Sequence, residues 1–409
     1  MRKFAIPISS DYVSMNFVRL LRSFVILCAA LYLLAWAYRI QSRKYSVWLS
    51  GYWSWVRESE PKTSGPVHLF FIYADHFEPG EAYHYVQRWL NEYPKLADRH
   101  HDADGRILQH TWFYPSEQPI DRNMLALQRL VADGYGEVEL HLHHSRDTEE
   151  TGRQRFASGI AYLQRFGFLK TVDGATHFAF IHGNWGLDNS MGPEFCGNNR
   201  ELAMLRDLGC FADFTFPSLF TDAQPPFVNN IYAATDDDRP KSYDHGVPVQ
   251  EGVPFRGDLM IFQGPLLLVP TINPAYLFVL VEDEEIHPAV PVGPARVDHW
   301  VGAHIHVKGR PDWQFLKVHT HGAESDSDAS ETLGPRFDSA LTHLETTYND
   351  GVHYILHYVT AREAYNLVMA AVDGKHGDPR QYYDYRIPPY VADPPRRPLS
   401  GAGSARSIR

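Results

Sequence analysis

From Pro66 onward, short apolar runs alternate with longer segments whose apolar residues recur at the helical period. The alternation is typical of βαβ units and predicts an α/β fold with a largely parallel sheet. Strands are predicted at residues 67–74, 107–114, 138–143, 177–181, 213–216, 300–307, 313–319 and 354–359. Helices are predicted at residues 121–132, 151–165, 200–208, 336–348 and 362–372, with Thr151 or Thr360 as a cap. These strands suffice for a (β/α) barrel of seven or eight strands.

The N-terminal region carries an uncharged apolar segment at residues 23–38, between Arg22 and Arg39. With snorkelling arginines at both ends it approaches the roughly 20 residues that a bilayer requires, so we expect a membrane helix. A cleaved signal peptide remains an alternative, because Ala35 and Ala37 flank Trp36 in the small-x-small form, and a short buried helix is another. Flanking Lys and Arg residues are balanced, so the side of the membrane on which the body lies stays open.

These features divide the chain into five parts. Residues 1–22 precede the membrane helix, residues 39–65 form a linker, and residues 66–387 form the barrel. Pro, Asp and Asn clusters at about residues 217–297 indicate an insertion, and residues 388–409 read as a disordered tail.

Charge and composition exclude several protein classes. The 38 Lys and Arg residues against 49 Asp and Glu residues give a net charge of -11, which argues against a nucleic-acid partner. The three cysteines are too few for a disulfide framework. Histidine is abundant, with 22 residues, and it is both a common metal ligand and a common general acid or base.

The most specific motif is the histidine run at the end of the third predicted strand. Strand alternation places His141 and His143 on one face, about 6.5 to 7 Å apart, where both can reach one cation. His144, on the other face or in the loop, could replace either of them. The alternative is a solvated histidine run, but this run begins inside an apolar strand.

Three further clusters follow predicted strands. Asp75 and His76 can hold a metal or share a proton, or Asp75 can simply cap a helix beside an exposed His76. One of His319 and His321 can protonate a leaving group. The alternative is that one of them is a buried histidine whose hydrogen bonds are made within the core and that the other is exposed. The third cluster combines the flat aromatic face of a tryptophan with polar groups, which suits a sugar ring, although the tryptophan could equally pack in the core. The candidate substrate-binding residues in this cluster are His182, Asn184, Trp185 and Asp188. Four other histidines are expected to be structural: His304, His306, His353 and His357.

Asp75-His76, the histidines at 141–144 and the late His319 or His321 together resemble the polysaccharide deacetylase family of the glycoside hydrolase/deacetylase barrel superfamily. The resemblance covers roughly residues 66–371 by motif order. It implies an incomplete barrel that holds a divalent metal, usually zinc, through one Asp and two His, with a neighbouring Asp as base and a late His as acid.

By position, Asp75 matches the first motif as base or ligand. The metal residues would then come from Asp75, His76, His141, His143 and His144, and the acid from His319 or His321. The sequence departs from the family pattern where Asp-Asp is replaced by Asp75-His76. It also departs where the second histidine motif is compressed, and where His182-Gly183-Asn184-Trp185 replaces the Arg-Pro element.

The expected function is a metal-dependent hydrolase that deacetylates an N- or O-acetylated polysaccharide or oligosaccharide at a membrane, which we expect to be a bacterial inner membrane. Two alternatives are a glycoside hydrolase on the same barrel and a glycan-binding module without catalysis. A glycosidase needs a carboxylate pair, which the sequence does not place.

Overall fold

A computed structural model describes residues 10–57 and 63–390, with side chains from residue 19 onward. The described helices are α1 (Ser10–Ser42), α2 (Tyr45–Arg57), α3 (Tyr83–Ala97), α4 (Asp121–Ala132), α5 (Glu149–Gln164), α6 (Glu201–Leu208), α7 (Pro294–Val301), α8 (Asp326–Thr332), α9 (Pro335–Thr347) and α10 (Ala361–Val372). From residue 391 on, the predicted tail lies outside the described residues.

The described strands are β1 (Val67–His76), β2 (His110–Pro115), β3 (Gly136–Leu142), β4 (Phe178–His182), β5 (Cys210–Asp213), β6 (Ile231–Ala234), β7 (Val247–Pro248), β8 (Leu259–Phe262), β9 (Leu266–Pro270), β10 (Val279–Asp283), β11 (Glu285–Ile286), β12 (Trp313–Thr320) and β13 (Tyr354–Val359).

Eleven of these strands form one large sheet, with the order β11-β12-β1-β2-β3-β4-β5-β8-β6-β7 and β13 beside β1. The pairs are parallel except those of β6, which runs antiparallel to both β7 and β8. β9 and β10 form a separate antiparallel hairpin. The protein is therefore a mixed α/β fold with a large, mostly parallel sheet, and the carboxyl ends of its parallel strands lie along one edge.

Strand alternation divides the core between the two faces of this sheet. Alternate residues of β1 such as Phe71 and Tyr73 pack on one face, in the larger core cluster that also includes residues of α3 to α6. On the opposite face, which we call the inner face, Phe70 meets Phe315 at 5.1 Å between ring centroids, and α10 packs over it. Burying each such Phe side chain contributes about 1.5 to 3 kcal/mol.

Two buried polar contacts hold the inner face together. The Lys317 ammonium donates to the carbonyls of Phe214 and Phe216, at 3.0 and 2.8 Å, and so links β12 to the loop after β5. The Tyr390 hydroxyl donates to Oε1 of Glu139 at 2.6 Å, which fixes the last described residue under β3. A buried donor or acceptor left without such a partner would cost about 1 to 3 kcal/mol.

Most predicted elements are confirmed to within a few residues, including β1, β13, α4 and α10. The strand predicted at residues 300–307 is wrong. Trp300 and Val301 end helix α7, which starts at Pro294, and beyond them His306 makes an isolated bridge to Gln314. The predicted insertion contains β8, which pairs with β5 in the main sheet, and the helix α3 was not predicted.

The predicted caps are partly confirmed. Thr360 caps α10 as expected. Helix α5 starts three positions earlier than a Thr151 cap would require, because Thr148 is the cap: it accepts from the Thr151 backbone N–H while the Thr151 side chain accepts from the Thr148 N–H. Such a reciprocal arrangement satisfies two free donors of the first turn.

Helix α1 contains a stretch, Arg19–Ser42, that is 24 residues long, has no buried residue and is apolar enough to cross a membrane. A signal sequence near an N-terminus can also meet this criterion of length and composition. Helix α2 lies within the segment predicted as a linker, and its Tyr45, Trp48 and Tyr52 pack against Val228 and Leu266.

Candidate active site at the carboxyl end of the sheet

Five histidines meet where β1, β3 and β12 end. His76 lies at the end of β1, and its ring centroid is 5.0 Å from that of His141, 4.6 Å from that of His321 and 5.6 Å from that of His319. His143 follows β3 and lies 4.8 Å from His141. We call this set, with Glu78 and Trp185, the histidine cluster. Alternation explains the convergence, because His76, His141 and His319 all point to the inner face.

Within the cluster, His76, Glu78 and His141 have donor atoms that all lie within 4.8 Å of one another, which is close enough to hold a metal ion. The Glu78 Oε1 atom lies 3.0 Å from His141 Nε2 and 3.9 Å from His76 Nδ1. The buried Nδ1 atoms of His76 and His141 have no hydrogen-bond partner among the described residues. Two imidazoles and one carboxylate are a donor set that suits zinc, so these residues fit a metal ion.

His143 lies between two carboxylates at the exposed side of the cluster. Its Nδ1 is 2.6 Å from Glu117 Oε1 and its Nε2 is 3.4 Å from Glu78 Oε2. Burial opposes the charged imidazole, but the hydrogen bond to Glu117 and the charges of both carboxylates outweigh it and raise the pKa of His143. The cluster thus reaches solvent through His143 and Glu78, whose side chains are 31% and 17% exposed.

Asp75 lies on the other face of β1 and belongs to a separate, fully buried pair. Its Oδ2 is 3.2 Å from His110 Nε2, and its Oδ1 accepts from the Gly322 backbone N–H at 2.8 Å. Burial raises the pKa of Asp75 to about 8, against the lowering effect of the Gly322 bond. Because Gly322 directly follows His321, Asp75 holds the turn that carries His321 into the cluster.

His319 is fixed by a buried charged pair. Its Nδ1 is 3.2 Å from Glu284 Oε1, and the same oxygen lies 3.0 Å from Lys317 Nζ. Glu284 comes directly after β10, so the hairpin of β9 and β10 begins next to the cluster. Among the late histidines, His321 is the more accessible, because it is half-buried while His319 is 4% exposed. Burial lowers the pKa of His321.

The four predicted substrate-binding residues lie in different surroundings. Trp185 is half-buried, and its indole stacks on His76 with 4.8 Å between ring centroids. Asn184 donates to the His144 carbonyl at 2.7 Å. Asp188 is buried and accepts from the Ser242 N–H at 2.7 Å, and burial raises its pKa to about 8. The fourth, His182, is also buried.

His182 belongs to a second group, on the opposite face of the sheet from the histidine cluster. The four side chains of this buried Cys/His/Glu group have donor atoms within 4.8 Å of one another: His144, His182, Cys196 and Glu201. All four are buried, so this group could hold a metal ion that substrate does not reach. The structure thereby separates His144 from His141 and His143, its neighbours in sequence.

The contacts around His144 resemble those of a metal ligand. Its Nε2 lies 2.8 Å from Glu201 Oε1, while its Nδ1 lies 3.2 Å from the Asp147 carboxylate, the type of partner that orients a metal-bound imidazole. The charges of Glu201 and Asp147 outweigh burial and raise the pKa of His144 to about 9. His182 differs, because its Nδ1 accepts from the Asn184 N–H, which leaves its ring proton on Nε2. In this tautomer neither nitrogen of His182 is free for an ion, so His144, Cys196 and Glu201 are the stronger candidate ligands of the group.

No protein-family model and no curated protein matches this chain. The chemistry of the site therefore follows from the residues that form it. A cavity of about 740 Å³ lies elsewhere, between α2 and residues 302–311, and is lined by Trp55, His304 and Lys308.

Several residues of the two groups carried no signal in the sequence. Glu78 stands two positions after His76, and the His-x-Glu spacing after an apolar strand could have indicated it. Glu117 and Glu284 follow strands at positions with no motif, and Glu201 opens a helix, where an acidic residue is ordinary. Cys196 lies in a loop, and only the fold brings it to His144.

Proposed function

We propose that this protein is a metal-dependent hydrolase that removes acetyl groups from a saccharide. One observation carries the proposal: donor atoms of His76, Glu78 and His141 converge at the carboxyl end of a parallel sheet, where substrate sites of such folds lie. The group is partly open to solvent, whereas the Cys/His/Glu group is closed, and catalytic metals need an open coordination position.

We assign zinc to the histidine cluster, because nitrogen and oxygen donors in this combination suit it. When bound there, the ion supplies a Lewis acid for a carbonyl oxygen and lowers the pKa of water. His76, Glu78 and His141 would hold it, and His76 and His141 are buried side chains with little freedom to move.

The remaining residues of the cluster bind substrate and move protons. Trp185 offers its exposed indole surface to an apolar sugar face. His143 and His321 are the imidazoles nearest to solvent, and we assign to them the transfer of a proton to and from the reacting group. Asp75, which bonds His110 and Gly322, positions His321 and does not contact substrate.

The overall arrangement proposed is an incomplete barrel anchored in a membrane. Lys317 lies on β12, and its ammonium donates to the loop that follows β5. Two isolated bridges, His306–Gln314 and Gln250–Lys308, continue from β12 toward β7. Both observations are expected for a sheet that curves back on itself. Helix α1 is the proposed anchor, since its apolar stretch contains no buried residue.

The test uses the full chain purified in detergent. We expect acetate release from N-acetylated chitooligosaccharide or from an O-acetylated saccharide, loss of this activity with a chelator, and recovery on adding zinc. Release of reducing ends without acetate would instead support a glycoside hydrolase, and saccharide binding that survives chelation without turnover would support a binding module. Either result would overturn the proposal.

A further inference from the structure

The hairpin formed by β9 and β10 ends in an exposed apolar tip at residues 271–278. Ile272 is 96% exposed, and Phe278 and Tyr276 are 50% and 41% exposed. The tip also contains Pro274, within a short 3-10 turn. Burying an exposed side chain such as Ile272 would contribute about 1.5 to 3 kcal/mol. An exposed apolar tip of this kind is typical of a surface that contacts another apolar phase or molecule.

The tip lies against α1 inside its apolar stretch. The Tyr32 hydroxyl donates to the Leu277 carbonyl at 3.0 Å, and the Arg39 guanidinium donates to the carbonyl of Tyr276. Tyr32 and Arg39 are seven residues apart, or about 10 Å along a helix, and their side chains reach the carbonyls of two consecutive residues. The tip therefore packs on α1 between the levels of Tyr32 and Arg39, inside the apolar stretch.

Basic and aromatic side chains meet at the same end of α1. The Arg43 guanidinium lies 4.9 Å from the ring of Phe220, which is 43% exposed, and the Arg39 guanidinium lies 5.5 Å from the ring of Trp36. Aromatic and basic residues concentrate at the level of lipid headgroups. These pairs place the membrane surface near Arg43, with the tip on its lipid side.

We infer that the tip of this hairpin inserts into the lipid bilayer beside α1, as a second membrane contact. Interfacial elements bury their apolar faces about 5 to 10 Å into this region, and a tip held between the levels of Arg39 and Tyr32 lies within that depth. The inference rests on α1 as the membrane anchor and not on the hydrolase chemistry.

The insertion also limits the distance between the histidine cluster and the bilayer. Six residue steps separate Phe278 at the tip from Glu284 beside His319, or about 20 Å of extended strand. The His319 end of the cluster therefore lies no farther than about 20 Å from the inserted tip.

Spin labels in the full chain, reconstituted in phosphatidylcholine and phosphatidylglycerol vesicles, test the inference. Cys28 is the exposed cysteine, within α1, and the other two cysteines are buried, so labelling the natural chain reports on the anchor. In a Cys28→Ser background, Ile272→Cys reports on the tip. Val352→Cys, 68% exposed before β13 at the opposite end of the sheet, is the matched control.

We expect labels at positions 28 and 272 to be more accessible to oxygen than to a water-soluble nickel chelate, and the label at position 352 to show the reverse. A lipid-exposed label at 28 with a water-exposed label at 272 would overturn the inference and leave the anchor intact. A water-exposed label at 28 would overturn both. A label at 272 that is shielded from both reagents would show a protein covering, such as a second copy, and would also overturn the inference.

Discussion

The imidazole of His76 and the indole of Trp185 stack with 4.8 Å between ring centroids and 28° between their planes. Trp185 therefore covers one side of a candidate ligand while part of its own surface stays open to solvent. Trp185 adopts a positive φ of 61°, which is uncommon for a residue other than glycine and is held by the turn after β4.

Replacing this tryptophan separates substrate binding from metal binding. Trp185→Ala should raise the KM for an acetylated saccharide roughly tenfold, equal to about 1.4 kcal/mol of lost aromatic contact, and leave the metal content unchanged. Trp185→Phe should recover part of the loss. Steady-state kinetics and metal analysis check this, and an unchanged KM would remove Trp185 from the binding site.

Glu78 is the carboxylate of the proposed metal set. Glu78→Gln should weaken metal binding by more than the roughly 10- to 100-fold that loss of an outer partner costs, and activity should fall with it. Glu81→Gln is the matched control, because the Glu81 side chain is 87% exposed. Metal analysis of both variants is the measurement, and a full metal complement with activity in Glu78→Gln would contradict the assignment.

The Cys/His/Glu group provides a separate metal prediction. Cys196→Ser should lower the metal content of the chain by one equivalent and lower its melting temperature by several degrees, because a closed metal site contributes directly to folding. The KM for saccharide should stay the same, since the group lies on the other face of the sheet. Equal metal content in the variant and the natural chain would show that this group binds no ion.

Gly183 tests the packing around His143. A Cβ atom at position 183 would lie 2.5 Å from His143 Cγ, so Gly183→Ala should displace the imidazole from Glu117. We expect a large loss of kcat with a small change in melting temperature. Gly293→Ala, where a Cβ meets nothing within 4 Å, is the control. If both variants keep full activity, His143 has no role in turnover.

Asp213 should make the free energy of unfolding depend on pH. Burial raises its pKa to about 7, although both its oxygens accept bonds from Thr215. Since the folded pKa lies above the unfolded value of 3.8, the native state binds this proton more tightly, and stability falls as the pH rises from about 4 to 7. The largest possible loss of unfolding free energy is about 4 kcal/mol, because the folded and unfolded pKa values differ by about 3 units and each unit corresponds to about 1.4 kcal/mol.

Asp213→Asn removes this titration. The variant should therefore gain melting temperature relative to the natural chain between pH 5 and pH 8. Thermal unfolding of both proteins at the two pH values measures the difference. A difference that does not change with pH would show that Asp213 does not titrate in this range.

Strand periodicity was informative about the histidine cluster. The alternation that placed His141 and His143 on one face also places His144 on the other, and the structure separates them in that way. The same logic separates His76 from Asp75. Whether Asp75 or His76 faces the cluster depends on the neighbouring strands, so the sequence alone left both residues as candidate metal ligands.

Other features depended on tertiary contacts. Residues 300–307 alternate in hydrophobicity like a strand, but Pro294 starts a helix that includes Trp300, whose indole N–H donates to Glu282 and to the Asp283 carbonyl. Glu201 reaches His144 because helix α6 packs beside the end of β3, and neither propensity nor spacing encodes that meeting. Local patterns thus predicted the elements, while long-range packing determined the partners of the charged groups.

The bond between Tyr390 and Glu139 spans 251 positions of the chain. Glu139 is synthesised long before Tyr390, so during synthesis the Glu139 carboxylate stays hydrated while the strands around it assemble. The layer beneath His141 can close only after Tyr390 has been synthesised. A chain that stops before Tyr390 would leave the Glu139 carboxylate without this donor, in an interior open to water.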